Sequence, residues 1–496
     1  MGVITSSMPF AGLIPLLALL ASHDSIPATP ESIPKGQLIQ NVSSQSDTSQ
    51  RFTVYLPTRY DPSRPAPIVY LLDPRGRALV AAKLFQPAAE RYGYILMSSH
   101  NSASDSPGEV NLRAMQAMWH DANDLFAIDE RRVYVAGFSG TARMASLMAQ
   151  NLPDSITGVI GSAAGYASDV RPSNDSKFLY FGTVGDADYN FHEMESLERS
   201  LVSLNLPHRV ERFQGSHSWM PPHLAMRAIE WMELRAMQSG RRPPAPELIA
   251  TWWTQEEDIA QAALAAGRHV EAARRFSAMA RDFAGLRDTA HALAHAARMG
   301  ATPSYEAELK RRQRDGRVSS EWLRQAMVAI AGAFPRGADA PERSLSDLTH
   351  ALELAPMKQL RAGPRAEVAL EAQRRLNELE AQLGFYLPAE ALEAGHLRRA
   401  RYYLSAALEI DDQSPVSWYF LGRTRALQNE KSGALAALRR AFQAGFRGLD
   451  VLEADPAFER MRADKDYAAI VAQLRDSGDV LDVLTVDRPP AFLPLR

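Results

Sequence analysis

Val133 to Ser139 reads VYVAGFS and runs on through Gly140 and Thr141 into ARMASLMAQ at 142–150. The β-branched and aromatic start predicts a strand, and the Ala, Met and Leu of the second half predict a helix. Between them stands Gly-x-Ser-x-small. A strand that turns this sharply into a helix needs Gly137 and Gly140 where a side chain would collide. The turn then projects the Ser139 hydroxyl beyond the carboxyl edge of a sheet. The N–H of Gly140, at the helix start, can donate to negative charge developing beside that hydroxyl. The fifth position of the pattern is usually glycine, and here it is Thr141. Its branched side chain is expected to crowd the helix against neighbouring strands and to strain the turn.

Working outward from this turn, short apolar runs alternate with amphipathic stretches from about residue 38 to 239. Phe52–Leu56, Ile68–Leu72, Tyr94–Ser98, Val133–Ala136, Gly158–Ser162 and Phe178–Phe181 read as strands, and Ala78–Arg91 and Leu112–Phe126 as helices. Alternation of this kind predicts an α/β domain, a mostly parallel sheet covered by helices on both faces. Gly240–Glu247 (GRRPPAPE) ends that pattern, and residues 240–248 read as a Pro-rich linker. Beyond it, residues 249–480 turn to Ala, Leu, Arg and Glu at helical spacing, an all-α domain, and 481–496 read as a tail. Within the helical part Gly395, Ala400, Leu404 and Ala407 recur 34 residues later as Asn429, Ala434, Leu438 and Ala441. The second copy opens with Trp418, Leu421 and Gly422, and Gly267, Ala272 and Phe276 match in part. Period and spacing resemble the tetratricopeptide repeat, a stacked helix-turn-helix unit.

A serine hydroxyl is a poor nucleophile until a base takes its proton, and that base needs an acid to fix its tautomer. Downstream of Ser139 the strand FLYFG ends in Thr183–Asn190 (TVGDADYN), where an acid after a late strand is expected. Asp188 and Asp186 are both candidates. Asp188 is favoured by its turn spacing, which leaves Asp186 as a solvated turn residue. Arg209–Phe213 reads as a last strand, and Gly215 to Pro221 (GSHSWMP) places His217 on a loop before a final helix at Leu224–Met237. The second oxyanion donor is expected from the loop after IVYLL, Asp73-Pro-Arg-Gly-Arg77. Pro74 has no N–H, so Arg75 or Gly76 is the candidate beside Gly140. Only about fifteen residues separate Gly158–Ser162 from Phe178, too few for a helical lid, so an open cleft and a chain-like or bulky ester are expected, with Trp219 able to line it.

Residues 50–237 resemble the α/β-hydrolase esterases related to polyhydroxyalkanoate depolymerases and feruloyl or acetylxylan esterases. The resemblance is carried by GFSG at 137–140 with Ala142 and Arg143, DYN at 188–190 and HSWMPP at 217–222. It implies Ser139 as nucleophile, Asp188 as acid and His217 as base.

The composition agrees with globular domains, at 46% hydrophobic and 23% charged residues over 496 positions. A net charge of -3 predicts no bulk attraction to nucleic acid, and with no cysteine there is no disulfide, thiolate metal site or thiol nucleophile. Residues 1–37 hold an apolar run, Ala11–Ala21 (AGLIPLLALLA), of signal-peptide length, with a small-residue cleavage site at Ala21 and Ser22. It predicts a periplasmic or extracellular protein, or a cytoplasmic one if the run is not processed. No later apolar stretch escapes charge for long enough to span a membrane. No metal motif and no Gly-rich phosphate loop is present, so no cofactor is expected. The expectation is a cofactor-free serine esterase. The alternative is a degenerate hydrolase scaffold, marked by Thr141, whose repeats bind a protein partner.

Overall fold

The computed structural model describes residues 26–27, 33–104, 108–167, 170–334 and 342–476. The apolar run at 11–21 and the tail at 481–496 lie outside the described residues. Nine strands form one sheet: β1 Ile26–Pro27, β2 Leu38–Ser43, β3 Arg51–Tyr55, β4 Ala66–Leu72, β5 Ile95–Ser99, β6 Ile128–Phe138, β7 Gly158–Ser162, β8 Leu179–Gly185 and β9 His208–Phe213. Their order is β1-β2-β3-β5-β4-β6-β7-β8-β9. From β5 to β9 every neighbouring pair is parallel, while β3 runs antiparallel to both β2 and β5. The strands β4, β5, β7 and β8 are buried along their whole length. That is why they read as continuous apolar runs rather than as alternation. The predicted strands are found within a few residues, and β1 and β2 are added to them.

Helices α1 Ala78–Tyr92, α2 Gly108–Leu125, α3 Gly140–Asn151, α4 Phe191–Ser203 and α5 Pro222–Gln238 cover the sheet. The inward side chains of α1 and α5 share one apolar cluster on one face, and those of α2, α3 and α4 share another on the opposite face. The sheet therefore has two dry faces. The chain leaves β4 to build β5 on one side and returns to build β6 on the other, so the strand order reverses between β4 and β6. Leu72 pairs with Gly137 at the carboxyl ends of those two strands. In open α/β sheets this reversal is where ligands bind.

The rest is helical: α6 Pro246–Ala265, α7 His269–Asp282, α8 Ala290–Gly300, α9 Pro303–Ala331, α10 Leu345–Ala351, α11 Leu354–Arg361, α12 Ala366–Ala381, a π-turn Gln382–Tyr386, α13 Leu387–Glu393, α14 Leu397–Ile410, α15 Pro415–Leu427, α16 Lys431–Gln443, α17 Leu449–Ala454 and α18 Lys465–Asp476. The positions that recur in the sequence occupy equivalent places. Gly395 and Asn429 take left-handed conformations at the turns after α13 and α15, and Gly267 does so after α6. Ala400, Leu404 and Ala407 are buried on α14, as are Ala434, Leu438 and Ala441 on α16.

The Pro-rich linker does not mark a break in the core. The apolar cluster beneath α5 continues through Trp252, Trp253, Phe276 and Phe283 of α6, α7 and the turn after α7. The Trp231 indole N–H donates to Asp282 at 2.9 Å. An ion lattice joins the last strand to these helices. Arg209, Glu211 and Arg212 of β9 meet Glu256 of α6 and Glu271 and Arg275 of α7. Two arginines also satisfy the open edge of the sheet: Arg274 donates to the Val210 carbonyl at 2.5 Å and Arg281 to the His208 carbonyl at 2.6 Å. An exposed edge strand invites pairing with another chain, and α7 removes that edge.

Candidate active site

Ser139 sits at the apex of the turn from β6 to α3 with φ 55° and ψ −126°. A non-glycine residue at positive φ costs of order 1–3 kcal/mol and persists only where its surroundings hold it. Here the Ser139 N–H donates to the Ser162 carbonyl at 2.8 Å, and its own carbonyl accepts from Ala142 at 3.0 Å. The two glycines are required by close approach: a Cβ on Gly137 would strike the Thr141 carbonyl, and one on Gly140 the Ser104 hydroxyl.

Thr141 does not strain the turn, contrary to expectation. Fully buried, its hydroxyl lies 2.5 Å from the Leu72 carbonyl and 2.8 Å from the Phe138 carbonyl, and accepts from the Phe138 N–H at 3.1 Å. The branched residue thus ties the helix start to both strands at the point of strand reversal. That takes away the feature on which the degenerate-scaffold alternative rested.

The predicted residues converge. His217 Nε2 is 2.8 Å from Ser139 Oγ, and His217 Nδ1 is 3.0 and 3.2 Å from the two Asp188 oxygens. Asp188 is fully buried and His217 nearly so. Asp188 also accepts from the Asn190 N–H at 2.8 Å, which fixes its carboxylate. The imidazole is held between rings, stacked on Tyr189 at 4.2 Å and tilted against Phe138 at 4.9 Å. Ser162 Oγ accepts from the Met220 N–H at 3.0 Å and so braces the loop that carries His217.

Asp186 does not reach His217. It is not a solvated turn residue either: its carboxylate accepts from the Gly215 N–H at 3.0 Å, and burial pushes its pKa up. The two aspartates divide the work, Asp188 facing the imidazole and Asp186 tying down the start of the histidine loop.

The loop after β4 differs from expectation in a specific way. The Arg75 N–H donates to the Asp73 carboxylate at 2.9 Å and the Gly76 N–H to the Asp73 carbonyl at 3.1 Å. Both amides proposed as second oxyanion donor are turned inward. Gly140 is different, because its amide stands at a helix start, where N–H groups have no acceptor within the helix. Sequence reasoning missed Asp73, whose carboxylate also takes Arg77 Nε and Nη2 at 3.0 Å each and the Trp219 indole at 2.8 Å. Burial works to raise its pKa, but the Arg77 charge and these donors outweigh it and hold it below the usual carboxylate range. Trp219, partly buried, packs with Phe85 and Phe138, and its N–H is spent on Asp73.

The cleft is not open on the side of the helical region. Among the described residues no helix lies between β7 and β8, but α12 and the π-turn approach the site from the other end of the chain. Phe385 lies 5.8 Å from the Arg75 guanidinium. Burial pushes the Glu378 carboxyl up, near Asp188 and Glu193. Among the described residues no group of three or more His, Cys, Asp or Glu could hold a metal ion. Among them no helix is long and apolar enough to cross a membrane.

The strand order, the elbow at the end of β6 and the helical cover define an α/β-hydrolase fold followed by a helical region. No protein-family profile and no curated protein matches the chain. Among solved structures it is similar to the S-formylglutathione hydrolase FrmB from Staphylococcus aureus, at 16% identity over 40% of this chain and 98% of that one, with a TM-score of 0.33. It is likewise similar to a ferulic acid esterase, at 13% identity over 40% and 98% of the two chains and a TM-score of 0.34. A third is the ferulic acid esterase AmCE1/Fae1A from Anaeromyces mucronatus, at 15% identity over 42% and 94%, TM-score 0.32. What Ser139 can do follows from its own surroundings.

Proposed function

We propose that this chain is a serine hydrolase acting on carboxylic esters through an acyl-enzyme on Ser139. The observation that carries the reading is the unbroken series Ser139 Oγ, His217 Nε2, His217 Nδ1, Asp188, with 2.8 and 3.0 Å links at a strained elbow. In this reading His217 Nε2 takes the hydroxyl proton as Ser139 Oγ attacks the ester carbonyl. Asp188 keeps the tautomer with a proton on Nδ1 and stabilises the imidazolium that forms. The Gly140 N–H donates to the oxyanion of the tetrahedral intermediate, a contact whose loss in such enzymes costs about a hundredfold or more. Collapse expels the alcohol, which leaves with the proton from His217. Water, deprotonated by the same imidazole, then releases the acid and restores Ser139.

Hydrolysis of nitrophenyl acetate and butyrate by the full chain, compared with the matching nitroanilides, tests the reading. Turnover of the esters that is abolished in Ser139→Ala, with the anilides left intact, is the expected result. Ester hydrolysis equal in Ser139→Ala would end it. We further propose that the helix pairs at 387–443 are tetratricopeptide-like, supported by the matched burial of their repeated positions, and that they can bind a protein partner. We also propose export, on the strength of the apolar run at 11–21, tested by fractionating cells that express the full chain.

A further inference from the structure

Helix α12 belongs to the helical region, yet it grips the loop that carries Asp188 on both sides of that residue. Arg374 Nε donates to the Asp186 carbonyl at 2.6 Å, and Asn377 Nδ2 donates to the Ala187 carbonyl at 2.8 Å. On the far side of Asp188, Glu371 meets His192 Nε2 at 2.8 Å, and the Arg374 guanidinium lies 3.8 Å from the centre of the Phe191 ring. Glu371, Arg374 and Asn377 recur every three residues, which places them along one face of the helix. That face therefore holds positions 186, 187, 191 and 192, with Asp188 between them.

Carbonyls at a loop are usually left to water, and the loop is correspondingly free to move. Here two are fixed by side-chain donors, one of them charged, and charge-assisted hydrogen bonds are the stronger kind. The loop needs such restraint if the Asp188 carboxylate is to stay 3.0 Å from His217. A displacement of about 1 Å in a catalytic geometry can cost on the order of a hundredfold in rate. None of these three side chains touches Ser139 or His217 in a hydrogen bond, so their action on the reaction runs through the loop.

We infer that Arg374 and Asn377 are positioning residues for Asp188, which makes the helical region a working part of the hydrolase site rather than an appended module. The inference rests on the reading of Ser139 as a nucleophile. The helical cover seals the edge of the sheet with α7 and then brings α12 to the acid loop.

The test uses the full-length chain and nitrophenyl butyrate. Arg374→Ala, Asn377→Ala and the double variant are measured in the wild-type and in the Asp188→Ala background, with circular dichroism reporting folding. The double variant is expected to lose about 10- to 100-fold in kcat with KM within about twofold, as removal of an interaction acting on the transition state requires. In the Asp188→Ala background the same two changes are expected to add less than about twofold, because residues that act through one group do not lose rate additively. Losses that multiply fully with Asp188→Ala, or a folded double variant that keeps its kcat, overturn the inference. Should the double variant not fold, Asn377→Ala alone must lower kcat by about threefold or more, and an unchanged kcat overturns the inference equally. Wild-type turnover with unaffected variants leaves the esterase reading standing. A wild type that hydrolyses no ester removes both.

Discussion

Trp219 and Asp73 join two loops separated by 146 residues in the chain: the indole N–H of one donates to the buried carboxylate of the other at 2.8 Å. One loop carries His217 and the other follows β4, so their link ties the histidine loop to the end of that strand. Asp73 is fully buried and Arg77 nearly so. Replacing Asp73 by Ala strands the Arg77 charge, and urea unfolding is expected to show a loss of about 3–5 kcal/mol. Trp219→Phe removes one donor and is expected to cost about 1–3 kcal/mol. The folded pKa of Asp73 is depressed, so its contribution is present above the unfolded value near 3.9 and is lost as pH falls. Asp73→Asn is expected to flatten that acid dependence. An unchanged urea midpoint in Asp73→Ala at pH 7 would contradict this account.

Asp188 and Asp186 stand two residues apart with different tasks, and substitution separates them. Asp188→Asn retains the shape but fixes the wrong imidazole tautomer, and kcat is expected to fall by about 10^4. Asp186→Asn alters only the anchor of Gly215, and a loss of no more than about tenfold is expected. Steady-state kinetics on one ester decides it, and a reversed order would assign the acid to Asp186.

Thr141 is a structural asset in this turn. Thr141→Val keeps the volume but leaves the Phe138 N–H and the Leu72 carbonyl without this partner in a dry site. The expected loss of stability is about 1–3 kcal/mol. Thr141→Gly, which restores the usual motif, is expected to lower the thermal midpoint and not to raise kcat. A more stable or faster Thr141→Gly would restore the view that this residue strains the elbow.

Glu380, on α12, is pushed up to about 7 by burial, reinforced by the charge of Asp411. Its folded pKa lies above the unfolded value near 4.3, so its contribution is fully present below about pH 4 and is lost as pH rises through about 7. Glu380→Gln cannot titrate. Relative to wild type it is expected to gain about 1–3 kcal/mol between pH 5 and pH 8, read from unfolding curves at the two values. A gap independent of pH would show that this carboxyl is not held neutral.

How much of this was legible in the sequence depends on whether the cause was local. The elbow was readable because Gly137 and Gly140 answer to clashes within a few residues of chain. The order of Ser139, Asp188 and His217 was readable because each follows a strand of the sheet. The roles of Asp73 and Trp219 were not, since a carboxylate facing a loop in sequence gives no sign of being the acceptor for an indole from elsewhere. The inward turn of the Arg75 and Gly76 amides was hidden for the same reason. Asn377 lies 190 residues from the loop that it holds, and its helix reads as ordinary Ala, Leu, Glu and Arg. The 34-residue period in the helical part was visible, but the use of α6 and α7 to close the sheet edge was not.

The central claim is that Ser139 is a nucleophile with a working base. The most direct measurement is labelling of the purified full chain with a fluorophosphonate probe, followed by mass mapping of the modified peptide. The account predicts a single adduct on Ser139, absent in Ser139→Ala and slowed by at least about a thousandfold in His217→Ala. No adduct on the folded wild-type chain, or an adduct that survives Ser139→Ala, would contradict it.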